Sequence, residues 1–361
     1  MRSFLKATFI WVLIALAGAS AVIWLGLYNV SARQGHFPGV AWVLHTAYRN
    51  AVLLRAPPES EVPDLASASL IALGRGHYED SCAFCHALPG EPQNETVLSM
   101  LPAPPHVTDA VADWEPRHLY WIVKNGVKMT GMPGWPSDKR DDDVWAVVAF
   151  LNAIMTGRSA AAGVADPAAA VEGSPPAGIA AIYRSDCADC HGANAEGNDH
   201  VPRLDTLPAP YVAATLKAYR ADDRHSGIMQ QAASQLSDTR IEELSAHIAA
   251  LGGERIRAGR RHDLDPSLVS VGERLAHGGD RKANIPACVA CHGPGASPRS
   301  DRFPPLAGQS RIFLLAQLRL WKLQRRGGTD RAVLMHEAVR DLTEDDMQAL
   351  AEYYASLPPA E

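Results

Sequence analysis

The chain has 361 residues and a mass of 38.8 kDa, which excludes a single small module because domains usually hold about 100 to 200 residues. Its residues are 47% hydrophobic and 20% charged, a composition that excludes a disordered chain and a polytopic membrane protein. The formal net charge is −6, so the overall charge gives no indication of nucleic-acid binding, and we expect no nucleic acid among the partners.

The N-terminal region predicts a membrane anchor. Residues 7–28 carry no formal charge and follow Arg2 and Lys6. At about 1.5 Å per residue, a helix of this length spans roughly 33 Å, enough to cross a bilayer core. We therefore assign residues 1–30 to a single-pass anchor. A cleaved signal peptide is the alternative, but the apolar run continues to Tyr28, beyond the small residues near Gly18 where cleavage would fall.

Residues 31–65 form a juxtamembrane segment, and residues 37–55 within it predict a helix that lies on the bilayer or on a partner. Residues 1–58 contain five Lys or Arg and no Asp or Glu, whereas residues 59–254 are acidic overall. This distribution suits a chain tethered at a membrane with acidic faces toward a soluble redox protein. Ordinary solvated surface charge is the alternative.

The cysteines carry the most specific signal. All six occur in three C-x-x-C-H motifs: Cys82, Cys85 and His86; Cys187, Cys190 and His191; Cys288, Cys291 and His292. This motif is the attachment signature of c-type haem. A single copy is also compatible with a redox disulfide or half of a zinc site. Because three copies use every cysteine, we predict three covalently attached haem c groups.

The motif spacing has a chemical reason. Residues i, i+3 and i+4 share one face of a helical turn, so two sulfurs can bond the haem while the imidazole coordinates iron from the same side. A proline-rich loop follows each motif, containing Pro102, Pro104 and Pro105; Pro202; and Pro304 and Pro305. A backbone carbonyl in each loop is expected to accept the imidazole N–H. The alternative is that the prolines only stiffen the connections.

Each repeat ends in an amphipathic helix, and a methionine precedes each of these helices at the same offset. These residues are Met132, Met229 and Met335. A thioether opposite a histidine favours ferrous iron. We therefore predict three iron ligand pairs: His86 with Met132, His191 with Met229, and His292 with Met335. Ordinary core packing is the alternative for each methionine. Met129 and the histidines at 106, 118, 225 and 336 are other candidate ligands, but they lack the common offset.

A helix also precedes each motif, at residues 70–80, 177–185 and 268–277. Each contains a glycine, Gly74, Gly178 or Gly272, although glycine costs a helix up to about 1 kcal/mol relative to alanine. We expect the glycine to permit a close crossing with the terminal helix of the same repeat. Simple tolerance of glycine is the alternative.

The three segments resemble class I cytochrome c domains. In the third, Cys291-His292-Gly293 and the run Pro305-Leu306-Ala307-Gly308-Gln309 are similar to a domain of two-haem periplasmic cytochromes. The first departs from this pattern at Ala87, where those proteins have glycine, and its Thr130-Gly131-Met132-Pro133-Gly134-Trp135 resembles single-haem membrane-anchored cytochromes. The resemblance implies an all-α fold with domains at 66–157, 177–254 and 262–361, joined between the first two by a linker at 158–176.

The predicted function is electron transfer without catalytic residues or a small-molecule substrate. We expect a multihaem cytochrome, anchored in the bacterial inner membrane with its haem domains in the periplasm, that relays electrons from a respiratory donor to an acceptor such as a terminal oxidase. One alternative is a cytochrome subunit of a dehydrogenase or oxidase complex. Another is a haem enzyme such as a peroxidase with one open axial site, and a zinc-binding assembly module is a third.

Overall fold

The structure is a computed structural model that describes residues 2–31, 34–36, 38–158, 178–251, 264–293 and 300–359. Within these ranges the chain is helical and contains no β-strand; an isolated bridge joins Asp280 to Ile285. The all-α prediction is confirmed for this part of the chain. Apart from its first residue, the predicted linker at 158–176 lies outside the described residues.

The first helix, α1 (Arg2–Trp24), contains a stretch long and apolar enough to cross a membrane. Residues Phe4–Trp24 have a mean hydropathy of 2.1, and none of this stretch is buried against the rest of the chain. The helix ends at Trp24, before the end of the uncharged stretch at Tyr28. An exposed apolar helix at this position fits a membrane anchor or a signal sequence.

The second helix, α2 (Pro38–Arg55), packs its C-terminal half on the first repeat. Val52 is fully buried. The Arg49 guanidinium lies 4.9 Å from the centroid of the Trp114 ring and 3.8 Å from the Asp113 carboxylate. The juxtamembrane helix is therefore attached to the body that follows it, and a short 3₁₀ turn (Glu59–Glu61) leads into the first repeat.

The first repeat is built on the crossing of its first and last helices. Three aspartates open the last helix, where negative charge favours the N-terminal end of the helix dipole. Ile71 and Tyr78 from the first helix meet Val147 and Phe150 from the last in one apolar core. The helices are α3 (Ala68–Ser81), α4 (Ala83–His86), α5 (Glu95–Leu98), α6 (Val107–Ala112), α7 (Pro116–Asn125) and α8 (Asp141–Met155).

The second and third repeats follow the same order of helices. In the second these are α9 (Ile179–Asp186), α10 (Ala188–His191), α11 (Ala209–Arg220), α12 (Gly227–Ser234) and α13 (Asp238–Leu251). In the third they are α14 (Pro266–Gly278), α15 (Val289–His292), α16 (Arg311–Lys322), α17 (Ala332–Val339) and α18 (Glu344–Ser356). Each repeat encloses its own apolar cluster, as expected when each terminal helix buries one apolar face.

Glycine permits the helix crossing in two of the three repeats. A Cβ at Gly74 would lie 1.8 Å from the carbonyl oxygen of Ala146, and one at Gly272 would lie 2.0 Å from that of Ala349. The predicted role is confirmed for these two residues. It is wrong for Gly178, which precedes α9 with a φ of +67° and has no atom within 4 Å of a built Cβ. The chain enters α9 there, so the residue needs left-handed backbone rather than space.

Buried polar contacts join the first repeat to the second. The Asp143 carboxylate is 6% exposed and accepts hydrogen bonds from the Gly227 N–H (3.1 Å) and the Ser226 hydroxyl (3.3 Å). Arg140 lies 2.7 Å from the same carboxylate and also donates to the carbonyl of His225 at 3.0 Å. A buried ion pair tolerates little displacement, because breaking it leaves an unpaired charge.

The second and third repeats join through a reciprocal pair of hydrogen bonds. The backbone N–H of Arg203 donates to Gln309 Oε1 at 3.1 Å, and Gln309 Nε2 donates to the carbonyl of Arg203 at 2.8 Å. The third repeat also reaches the first, since Arg325 forms an ion pair with Asp141 at 2.9 Å. The three repeats therefore contact one another directly.

We predict that Gly272→Ala lowers the free energy of unfolding of the third repeat by about 1 to 3 kcal/mol, the usual cost of overpacking. Gly278→Ala, in the same helix but with no atom within 4 Å of a built Cβ, is the matched control. It is expected to be neutral or stabilising by up to about 1 kcal/mol. Chemical denaturation followed by helix circular dichroism measures both. Equal changes in the free energy of unfolding for the two substitutions would contradict a close crossing of α14 and α18 at Gly272.

Candidate cofactor sites

Each C-x-x-C-H motif forms one short helical turn. The backbone N–H of the histidine donates to the backbone carbonyl of the first cysteine, at 3.0 Å for His86, 2.9 Å for His191 and 3.0 Å for His292. The first cysteine and the histidine of each motif are thus one helical turn apart, as the spacing predicts.

A proline carbonyl fixes each imidazole. The Nδ1 atoms of His86, His191 and His292 lie 2.8, 3.0 and 2.8 Å from the carbonyl oxygens of Pro105, Pro202 and Pro304, respectively. The predicted carbonyl acceptor is confirmed in all three loops. Since a carbonyl can only accept, Nδ1 carries a proton, and in the neutral ring Nε2 then keeps its lone pair for a metal ion.

Burial favours the neutral form of the His191 and His292 rings. His191 and His292 are buried and His86 is half-buried. Burial lowers the pKa of His191, and it lowers that of His292 with a further contribution from the positive charge of Arg326. A neutral imidazole is the form that binds a metal.

The predicted methionines lie in different surroundings. The sulfur of Met335 is 3.4 Å from Nε2 of His292, on the side of the ring opposite the proline carbonyl. Met229 packs against the apolar cluster of the second repeat. Met132 is half-buried, whereas Met129 is 70% exposed. The ligand role of the three methionines stays a prediction.

The other candidate histidines make local contacts. Their partners are Thr108 for His106, Glu115 for His118, Asp222 for His225 and the carbonyl of Arg326 for His336. These contacts give each ring a structural role at a helix end or a loop.

Four of the six thiols differ from those of a redox disulfide. Burial raises the pKa of Cys82, Cys190 and Cys288 to about 11 and that of Cys187 to about 12. Redox-active C-x-x-C motifs have lowered thiol pKa values. Nor do the described residues contain a cluster of three or more His, Cys, Asp or Glu side chains placed to hold a metal ion, as a zinc site requires.

The arrangement fits haem c. Two half-buried thiols and an imidazole oriented by a proline carbonyl share one helical turn in each repeat, and a methionine sulfur faces the imidazole in the third. The cysteines would hold the porphyrin and the histidines its iron.

Two tyrosines that the sequence analysis missed support these turns. The Tyr78 hydroxyl donates to the carbonyl of Ala87, and the Tyr183 hydroxyl donates to that of Gly192, each at 2.7 Å. Both tyrosines stand four positions before the first cysteine of their motif, and the third repeat has Asn284 there. This shared position relative to the motif was the feature of the sequence that could have identified the two tyrosines.

The residue after each histidine adopts an unusual backbone conformation. Gly192 (φ +84°, ψ 152°) and Gly293 (φ +67°, ψ 165°) lie in a region that is essentially restricted to glycine. Ala87 takes the same conformation (φ +54°, ψ 177°) although it has a Cβ. The backbone after the histidine therefore follows the same path in the first repeat as in the other two, and Ala87 is strained there.

We predict that Ala87→Gly raises the free energy of unfolding of the first repeat by about 1 kcal/mol. Relief of about 1 to 3 kcal/mol of strain exceeds the roughly 0.5 to 1 kcal/mol that glycine loses in entropy. Gly192→Ala should destabilise the second repeat by the reverse argument. Ala110→Gly, within α6, controls for the ordinary loss caused by glycine. Chemical denaturation measures the free energy of unfolding of all three variants. A lower value for Ala87→Gly than for the unaltered protein would contradict a strained backbone at Ala87.

Comparisons with known proteins agree with the geometry. Residues 69–151 match the family described as cytochrome C oxidase, cbb3-type, subunit III, and residues 177–252 match the family described as cytochrome c. The chain is 38% identical to the thiosulfate dehydrogenase electron acceptor of Stutzerimonas stutzeri (strain A1501), over 51% of this chain and 82% of that protein.

Two further relatives share about half of the chain. Cytochrome c4 of Pseudomonas aeruginosa is 28% identical over 47% of this chain and 83% of its own length. A solved structure, the thiosulfate dehydrogenase (TsdBA) of Marichromatium purpuratum, is 37% identical with a TM-score of 0.43, over 48% of this chain and 36% of that one.

Proposed function

Because this chain belongs to the cytochrome c family, and is therefore an electron-transfer protein with covalently bound haem c, we propose that it is a three-haem, membrane-anchored electron carrier. The proposed number of three haems rests on one local arrangement that recurs in all three repeats. In each C-x-x-C-H turn the imidazole Nδ1 lies on a proline carbonyl, which leaves Nε2 as the ring atom available to a metal ion. The apolar helix α1 supports anchoring in the inner membrane, with the haem domains in the periplasm.

The chain contributes attachment, orientation and burial. Bound haem supplies an iron that cycles between two oxidation states. The cysteine pairs hold the porphyrin, and His86, His191 and His292 each present Nε2 to the iron. Met132, Met229 and Met335 would each hold an iron through their sulfur atom. Neutral imidazole and thioether ligands favour the ferrous state and so raise the reduction potential.

The donor is proposed to be a dehydrogenase of a sulfur compound. The support is the 38% identical relative named thiosulfate dehydrogenase electron acceptor. With haem bound at the three sites, the chain would carry electrons from this donor to an acceptor such as a terminal oxidase. Direct contacts among the three repeats, such as Arg203 with Gln309 and Arg325 with Asp141, keep the sites at fixed separations.

We predict a ratio of three haems to one polypeptide in the exported protein. Intact mass and the pyridine haemochrome spectrum measure this ratio together. The double substitution Cys187→Ser and Cys190→Ser should remove one haem and leave two. A ratio of two in the unaltered protein would refute the three-haem proposal while leaving cytochrome c chemistry in place.

The same preparation tests the donor. Mixed with catalytic amounts of a purified thiosulfate dehydrogenase, the protein should be reduced when thiosulfate is added and stay oxidised without it. Failure to be reduced by this enzyme, in a preparation that dithionite reduces fully, would refute the proposed donor class.

We predict that Met335→Ala lowers the reduction potential of one haem and leaves its covalent attachment intact. Axial ligands move haem potentials over a range of about 0.8 V, so a fall on the order of tenths of a volt is expected. Met132→Ala and Met229→Ala should each act on a different haem. Met129→Ala, at an exposed methionine of the same loop as Met132, is the control and should change no potential. A potentiometric titration that is unchanged in Met335→Ala would remove that residue from the ligands.

A second candidate function is that of a subunit in an oxidase complex. It is favoured by the match of residues 69–151 to the family described as cytochrome C oxidase, cbb3-type, subunit III. Co-purification with a catalytic subunit after detergent extraction would support this function. Release as a single polypeptide would support the independent carrier.

A further inference from the structure

The helix α2 packs one of its faces on the first repeat. Tyr48 and Val52 lie one helical turn apart on this face. The centroid of the Tyr48 ring is 5.8 Å from that of Trp114, with the two rings edge to face, and Val52 is fully buried. This face of α2 is therefore occupied by the protein itself.

The face of α2 that points away from the first repeat carries an exposed apolar stripe. Its members are Val40, Val43, Ala47 and Leu54, which share one side of the helix because they are three, four and seven positions apart. At about 100° per residue, the stripe lies roughly 130° around the helix from Tyr48 and Val52. Val43 is 54% exposed and Leu54 is 78% exposed, so the described part of the chain leaves the apolar stripe largely uncovered.

The chain just before α2 returns to the end of the uncharged N-terminal stretch. The Tyr28 hydroxyl lies 2.9 Å from Nδ1 of His36, and the Asn29 side chain donates to Gln34 Oε1. Tyr28 is the last residue of the uncharged stretch, and α2 begins two residues after His36. The helix therefore starts beside the point at which the chain would leave the bilayer.

The charges and aromatic residues around the apolar stripe suit the headgroup region of a bilayer. Residues 25–58 contain Arg33, Arg49 and Arg55 and no Asp or Glu, a balance that anionic lipid headgroups attract. Trp42 is exposed, and tryptophan is enriched at the boundary between membrane and water. Helices that lie in this boundary combine an apolar face with basic residues, as α2 does.

We propose that α2 lies in the lipid headgroup region of the membrane, with the apolar stripe toward the acyl chains and the face of Tyr48 and Val52 on the first repeat. The protein would then contact the membrane twice, through α1 and through α2. The second contact would hold the first repeat at the bilayer surface, where its cofactor site is within reach of a membrane-bound acceptor. This inference rests on the proposed membrane anchor.

The test uses the full chain with its haems attached, reconstituted in liposomes of phosphatidylglycerol and phosphatidylethanolamine. Ala47→Cys introduces one free thiol, because haem occupies the six native cysteines in the proposed holoprotein. A membrane-impermeant maleimide should modify this thiol about tenfold more slowly than that of Ala214→Cys, since lipid headgroups shield the apolar stripe from a reagent in water. Ala214, an exposed alanine of α11 in the second repeat, is the matched control. Mass spectrometry measures both rates.

A charge in the apolar stripe should abolish this protection. Val43 lies one turn before Ala47, and moving a carboxylate from water into lipid is unfavourable. Val43→Asp combined with Ala47→Cys should therefore react as fast as Ala214→Cys, whereas Val43→Leu combined with Ala47→Cys should stay protected. If Val43→Asp does not accumulate, Leu54→Asp at the other end of the stripe provides the same test.

Three results would overturn the membrane contact of α2. Equal modification rates of Ala47→Cys and Ala214→Cys would show that the apolar stripe is open to water. Protection in native membranes but not in liposomes would assign the stripe to a protein partner. Protection that is lost when the protein is diluted with lipid would assign it to a second copy of the chain.

Two prior measurements separate these results from failure of the proposed function. Flotation with the liposomes tests the proposed anchor, and the haem-to-polypeptide ratio tests the proposed cofactors. Protein that floats with its haems attached but shows no protection would overturn only the contact of α2. Protein that does not float would overturn the anchor and the contact together.

Discussion

Each cofactor site depends on the hydrogen bond from a histidine Nδ1 to a proline carbonyl. The helical turn alone places two sulfurs and an imidazole on one face, but it leaves the ring free to rotate. The carbonyls of Pro105, Pro202 and Pro304 remove that freedom and fix the tautomer. Proline suits this role because its own φ is fixed, which limits the paths of the loop that carries the carbonyl. In the third repeat the ring nitrogen that remains, Nε2 of His292, lies 3.4 Å from the Met335 sulfur.

The surrounding helices hold that hydrogen bond in place by packing closely. In the first and third repeats the backbones of the crossing helices meet at Gly74 and Gly272, so the initial helix runs directly from the crossing toward the cysteines. In the first and second repeats a tyrosine hydroxyl also ties down the residue after the histidine. The strained backbone of Ala87 shows that this path is retained even where the side chain opposes it.

The repeats are connected by polar contacts that differ in kind. The first and second share the buried Asp143 carboxylate, whereas the second and third share the reciprocal Arg203 and Gln309 bonds and the bond from Arg326 to the Tyr211 hydroxyl. Buried polar contacts have strict geometry, so they fix the relative position of the repeats more narrowly than apolar packing would. In an electron carrier, these contacts therefore set the distances between the cofactor sites of the three repeats.

The sequence by itself determined the features that arise within one turn or one helix. The C-x-x-C-H turns and the amphipathic helices depend on residues close together in the chain, so local spacing was sufficient to predict them. The proline acceptors lie in the loops that follow, 11 to 19 residues after their histidines, and the position of these loops in each repeat indicated them. Tertiary structure decided the rest: that α2 packs on the first repeat, that Gly178 begins a helix instead of crossing one, and that Arg326 of the third repeat reaches Tyr211 of the second. These outcomes depend on contacts between residues far apart in the chain, and no local pattern specifies which distant surface a side chain will meet.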